Sequence, residues 1–196
     1  MTLKKCLDKV PRQTVARRAR LTHDSYKEIG VSNHELAQLN IGIIRGPMDS
    51  PVMAEFAANL QRINALADAS PGFVWRLQTE TGDATAIRPF DNENMLLNMS
   101  VWRDVESLNH YVYRSAHVEI MRRRRAWFEK MRDAFVVLWW VPAGHRPSIP
   151  EALKKLDTLR SLGPTAEAFT FRQAFPRPDS QSEESPVAFG GECPAT

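Results

Sequence analysis

Residues 135–141 read FVVLWWV, and this stretch decides the fold. A strand with one face in water alternates apolar and polar residues. Here Phe135, Val136, Val137, Leu138, Trp139, Trp140 and Val141 are apolar without a break, so both faces must be covered. The run is short for a helix, rich in β-branched and aromatic residues, and closed by Pro142, all of which mark a strand.

Upstream of it, Ser115 can cap a helix running to about Arg132, and Asp104 can cap a short helix through Tyr113. Met95 to Trp102 reads as a strand. It is preceded by a polar hairpin loop at 79–94 (TETGDATAIRPFDNEN) and by another strand from Phe73 to Gln78. Ser50-Pro51 opens a helix from Val52 to Ala69. Its Met53, Phe56, Leu60, Ile63 and Ala67 share a stripe at 3/4 spacing, and Ser70-Pro71-Gly72 stops it. His34 to Arg45 (HELAQLNIGIIR) is the first strand. Ala37, Leu39, Ile41 and Ile43 lie on one face, and His34, Leu36, Gln38, Asn40 and Ile44 on the other.

Downstream, Pro142 to Pro147 form a Gly/Pro loop carrying His145 and Arg146. Ser148 and Glu151 then stand as a capping box. The helix carries Leu153, Leu156 and Leu159 and ends at Gly163-Pro164. Phe169 to Phe175 (FTFRQAF) reads as a fifth strand. The order β-α-β-β-α-β is the ferredoxin-like α+β arrangement, with an extra C-terminal helix and strand. Residues 1–33 form a basic N-terminal arm, 34–175 the domain, and 176–196 a Pro/Ser/Glu-rich tail expected to be disordered.

A ferredoxin-like sheet carries its helices on one face. The unbroken apolar strand therefore calls for cover on the other. The helix after Ser148 can supply part of it, and a second copy of the sheet would supply the rest. The expectation is a homodimer in which two sheets close an α+β barrel.

The formal charge of +3 divides unevenly. Residues 1–33 carry eight Lys/Arg against three acids, 34–175 seventeen against sixteen, and 176–196 one against four; these give +5, +1 and −3. The domain is thus near neutral, which argues against nucleic-acid binding. No apolar run is long enough to span a membrane, and the N-terminus lacks the apolar core of a secretory signal. The two cysteines, Cys6 and Cys193, sit one in each tail without metal or redox spacing. Together these point to a cytoplasmic protein. No dinucleotide or phosphate-binding glycine loop, nucleophile elbow or HExxH occurs. His117 and Glu119 are two apart on a helix and face different ways, so no metal site is expected.

His117 shares a stripe with Met121, Arg124, Phe128 and Met131, the side of the helix that should face the sheet. A histidine beside an arginine on an apolar stripe pairs a proton-transfer group with an anion anchor. The plain alternative is a histidine that only bonds a backbone carbonyl or a carboxylate such as Glu119 or Glu93. Four consecutive arginines, Arg122 to Arg125, cover most of a helix circumference, so at least one must turn inward. Arg124 has the phase of His117; its alternative is a structural ion pair. Gln38 and Asn40 on the first strand, and Asn98 and Ser100 on the third, can supply polar handles to a pocket with Trp102, Tyr113, Trp75 and Trp139 or Trp140 as walls. The tryptophans can equally be plain core. His145 can sit at a pocket mouth or in a surface turn.

The segments WRDVESLNHYVYRSAH (102–117), HVEIMRRRRAWFEKM (117–131), VLWWVPAGHRPSIPEALKKL (137–156) and LGPTAEAFTF (162–171) resemble a bacterial family of unknown function. That family is grouped with the dimeric α/β-barrel superfamily of antibiotic-biosynthesis monooxygenases, haem-degrading enzymes and stress-responsive barrel proteins. The resemblance covers roughly residues 34–175. It implies a ferredoxin-like dimer with a pocket between sheet and helices, and no particular reaction. The leading expectation is an enzyme without an organic cofactor that oxygenates, cyclises or isomerises an apolar or aromatic metabolite. His117 would be its general acid or base and Arg124 its anion anchor; Gln38, Asn40, Asn98, Trp102, Tyr113, Trp139, Trp140 and His145 would bind the ligand. The alternatives are a haem protein with His117 as axial ligand, or a non-catalytic dimeric ligand-binding or stress protein.

Overall fold

The structure is a computed structural model, and it describes residues 32–180. The expected basic arm lies outside the described residues, apart from Ser32 and Asn33, as do residues 181–196 of the tail.

Strands β1 (His34–Ile43), β2 (Phe73–Arg76), β3 (Met95–Trp102) and β4 (Val136–Pro142) are joined by helices α1 (Ala54–Asp68), α2 (Val105–Arg114) and α3 (His117–Trp127). Helix α4 (Ile149–Leu162) follows β4. The sheet order is β2-β3-β1-β4, antiparallel throughout. With α2 and α3 together serving as the second crossover, this is the ferredoxin-like arrangement. Helix α1 starts at Ala54, not Val52, because the Ser50 hydroxyl donates back to the Pro47 carbonyl at 2.5 Å and serves the preceding turn.

Both faces of residues 135–141 are covered, and one chain covers them. Ala37, Leu39 and Ile41, Leu97, Met99 and Val101, and Val137, Trp139 and Val141 form one core face. Ala152, Leu156 and Leu159 of α4 pack on it, and Leu77, Ile87 and Phe90 of the β2–β3 connection reach it as well. Met99 and Val101 keep 1% and 0% of their surface. Val52 and Leu162 are the exposed large hydrophobics among the described residues. The apolar face from which a sheet-to-sheet dimer was expected is therefore closed within the chain, and covering it needs no second sheet. The long β2–β3 connection, polar in sequence, contributes the apolar Ile87 and Phe90 that a composition reading passes over. Among the described residues no helix is long and apolar enough to cross a membrane.

The fifth strand is corrected to a single bridge. Phe169 exchanges two backbone bonds with Leu138, at 2.8 and 2.9 Å, and pairing stops there. The Thr165 and Thr170 hydroxyls accept from Ala168 N and Gln173 N at 3.3 Å each, tightening a turn on either side. Such local bonds compete with a ladder, and here they win. Phe169 is left as a buried plug on the edge of β4. Beyond it, Asp179 accepts from the Asn33 backbone N–H at 2.7 Å and Arg177 lies over Trp140. The first residues of the expected disordered tail thus return to the start of β1.

Candidate functional site

The other sheet face carries Leu36, Gln38 and Asn40 of β1 and Asn98, Ser100 and Trp102 of β3. Helices α1, α2 and α3 do not close down on it. They leave a cavity of about 730 Å³ between sheet and helices, within the range of small-molecule sites. Its floor is polar because the register sets Gln38 opposite Ser100 and Asn40 opposite Asn98. The Trp102 indole N–H donates to Ser100 Oγ at 2.9 Å, and the Ser100 hydroxyl donates to Gln38 Oε1 at 2.9 Å. The amide Nε2 of Gln38 and the side-chain amides of Asn40 and Asn98 have no protein partner among the described residues. Asn98 is exposed between the buried Leu97 and Met99, because it opens into the cavity. Gln38 is buried, Asn40 half-buried and Asn98 open to the cavity, so adjacent central strands present amide groups to the cavity that other protein groups would normally satisfy.

Ser115 ends α2 and begins α3: its hydroxyl donates to the Tyr111 carbonyl at 2.5 Å and accepts from His117 N at 3.1 Å. The break turns the first residue of α3, His117, toward the cavity. Its ring lies against Tyr111, with centroids 4.7 Å apart, and Tyr111 stacks on Trp102 at 5.1 Å. The Tyr111 hydroxyl donates to the Ile63 carbonyl at 3.3 Å, and burial pushes its pKa up. His117 Nδ1 faces the Val112 carbonyl at 3.4 Å. A carbonyl accepts only, so Nδ1 carries the proton and Nε2 the lone pair of the neutral ring. Nε2 has no hydrogen-bond partner among the described residues. Burial lowers the His117 pKa, against the smaller opposing pull of the Val112 carbonyl, and the ring is neutral at pH 7.

This shift has a stability consequence. As pH falls through the ordinary histidine value of about 6.5, the unfolded chain takes up a proton that the fold resists. The stability due to neutral His117 is therefore present above that value and lost below it. In urea denaturation at pH 7.5 and 5.5, His117→Gln is expected to lose less stability on acidification than the wild type. Equal losses would contradict the buried neutral ring.

Of the four arginines, Arg124 is the one that lines the cavity; Arg122, Arg123 and Arg125 are exposed, and Arg123 pairs with Glu55. The Arg124 guanidinium lies over the rings of Phe135 at 4.3 Å and Phe128 at 5.4 Å. Gly42 of β1 makes room for this group: a Cβ there would meet Phe128 at 2.8 Å and Arg124 Nη2 at 3.4 Å.

Eight of the residues singled out by sequence line this one cavity: His117, Arg124, Gln38, Asn40, Asn98, Ser100, Trp102 and Tyr113. Three do not. Trp139 points to the opposite face and donates to Glu151 Oε1 at 3.2 Å; Trp140 donates to the Phe175 carbonyl at 3.0 Å. His145 Nε2 lies 2.8 Å from Glu151 Oε2. Burial pushes the Glu151 carboxyl up, but the bonds from His145 and Trp139 outweigh it and hold the pKa below its ordinary value. Trp139 and His145 tie β4 and the loop after it to α4 through Glu151, and Trp140 ties β4 to the segment beyond α4. The expected capping box is accordingly half-formed: Ser148 caps Glu151 N, while the Glu151 carboxylate goes to His145 and Trp139.

Sequence reasoning missed Arg76. It reaches the cavity, holds Asp68 at 2.8 and 3.1 Å, and donates to the Gly82 carbonyl at 2.7 Å. A register shift between Phe73 and Trp75 puts Phe73 opposite Trp102 and Arg76 opposite Ser100, hence both on the cavity face. Strict alternation would have separated them.

Among the described residues no group of three or more His, Cys, Asp or Glu can hold a metal ion. A family model described as a domain of unknown function, DUF3291, matches residues 35–185. No curated protein matches the chain. SnoaB, a cofactor-independent oxygenase from Streptomyces nogalater, is similar in structure: 21% identical over 60% of this chain and 98% of that one, with a TM-score of 0.39. A protein of unknown function from Nitrosomonas europaea is 12% identical over 59% of this chain and 97% of that one, with a TM-score of 0.38. The strand order, and not these loose overlaps, identifies the fold.

Proposed function

Because this chain belongs to the DUF3291 family, which comes without an assigned reaction, we propose a function from the cavity alone: an enzyme that removes a proton next to the carbonyl of a small apolar or aromatic compound. The observation that carries this reading is His117, kept neutral by burial, whose Nε2 has no partner among the described residues, beside a floor onto which Gln38, Asn40 and Asn98 present amide groups. His117 Nε2 takes the proton. The C–H electron pair moves into the carbonyl, and the resulting enolate oxygen is stabilised by amide N–H groups and by the Arg124 charge. Reprotonation elsewhere gives isomerisation, attack on a second carbonyl gives cyclisation, and reaction with molecular oxygen gives oxygenation.

The test is proton exchange in D2O, followed by NMR, with 2-tetralone and 1-phenyl-1,3-butanedione as probes. The wild type is expected to accelerate exchange, and His117→Gln to lose about a hundredfold of that acceleration. Undiminished exchange in His117→Gln would remove His117 as the base. A Soret band on haemin titration that vanishes in the same variant would make His117 an axial ligand instead.

A further inference from the structure

We infer that Trp102 and Ser100 lock the polarity of Gln38, making it a fixed donor on the cavity floor that favours a ketone or enolate oxygen over a hydroxyl. This rests on the reading of the cavity as a ligand site and names the chemistry that site selects. Trp102 and Ser100 are positioning residues; Gln38 touches the ligand.

The direction of each bond follows from what each group can do. An indole N–H only donates, so Ser100 Oγ accepts from Trp102. The Ser100 hydroxyl proton then goes to Gln38 Oε1. With its oxygen engaged, Gln38 keeps Nε2, a pure donor, for the cavity. Turning the amide over would make Ser100 Oγ accept from both Trp102 and Gln38 and leave the Ser100 proton without its acceptor. It would leave a buried mismatch costing about as much as a lost hydrogen bond. The relay is shielded from water: Gln38, Ser100 and Trp102 are 8%, 7% and 1% exposed. Phe73 edge-on and Tyr111 face-on clamp the Trp102 ring, at 5.3 and 5.1 Å, so the first donor in the chain cannot rotate away. Asn40 and Asn98, without such a relay, can present either end of their amides.

Three probes share one ring system and differ at one position: 9-fluorenone accepts a hydrogen bond, 9-fluorenol also donates, and fluorene does neither. None asks for turnover. Calorimetry on the wild type is expected to show 9-fluorenone binding about tenfold tighter than fluorene and tighter than 9-fluorenol. The infrared carbonyl band of bound 9-fluorenone is expected at lower wavenumber than in an apolar solvent. Gln38→Leu should keep fluorene binding, lose the ketone preference and return the carbonyl band. Trp102→Phe keeps an aromatic ring but removes the N–H. Ser100 is then free either to donate to Gln38 or to accept from it, so either end of the amide can face the cavity and the preference for the ketone over 9-fluorenol should fall. Melting curves confirm that each variant is folded. An unchanged ketone preference and carbonyl band in folded Trp102→Phe would overturn the polarity lock; an unchanged ratio in Gln38→Leu would overturn Gln38 as the donor. Failure of all three probes to bind the wild type would overturn the ligand-site reading itself, a result distinct from binding with the wrong order.

Discussion

Trp102→Ala is expected to lower the unfolding free energy by about 3–5 kcal/mol, measured by urea denaturation at pH 7.5. Trp102 is among the largest fully buried side chains, wedged between Phe73 and Tyr111. Alanine removes the transfer energy of the ring and leaves a void beside an existing cavity, so neighbours can relax into it only in part. It also takes the indole donor from Ser100, and Tyr111 loses the surface against which it holds His117. Trp102→Phe should cost clearly less, because it keeps most of the ring area. Equal losses in the two variants would locate the energy in the Ser100 bond and not in packing.

Gly72→Ala is expected to cost about 2–5 kcal/mol from two sources: a left-handed backbone and overpacking. Gly72 ends the α1–β2 turn with φ +82°, where L residues are strained. A Cβ there would lie 2.2 Å from Ser107 Oγ and 2.6 Å from Ser107 Cβ. Ser107 cannot step aside, since it is buried in the first turn of α2, its N–H donates to Asp104 Oδ1 at 2.8 Å and its hydroxyl accepts from Arg103 at 3.1 Å. The Gly72 carbonyl also accepts from Arg103 N at 2.7 Å, so the turn cannot move as a whole. A double-mutant cycle with Ser107→Gly separates the two costs: the clash should be relieved and the backbone strain should remain. Purely additive losses would show that the contact with Ser107 does not matter.

The two positions differ in how far sequence exposes them. Trp102 closes an alternating strand, and its phase with Asn98 and Ser100 already put it on a shared face. Gly72 reads only as a helix stop; that it makes way for Ser107, thirty-five positions later, is a matter of how α2 lies on the α1–β2 turn. The same divide runs through the site. Gln38, Asn40 and Asn98 were legible because a period of two assigns faces without knowledge of partners. Arg124 was legible because four arginines in a row cannot all avoid the buried side of a helix. Trp139, Trp140 and His145 were misplaced because an apolar run on both faces carries no phase, and a loop histidine gives no hint of the glutamate it will meet. Arg76 was missed because a bulge shifts the face by one residue and leaves no mark in an alternating pattern.

By itself the sequence determined the order of strands and helices, the need to cover both faces of residues 135–141, and the polar character of one face of the two central strands. These depend on local periodicity and on the incompatibility of apolar surface with water. Only the tertiary structure decided what does the covering and what is left open. Helix α4 and the β2–β3 connection close one face within the chain, while α1, α2 and α3 stand off the other and leave the cavity over the amides. Those outcomes rest on contacts between segments far apart in the chain, whose distances and directions no local pattern encodes.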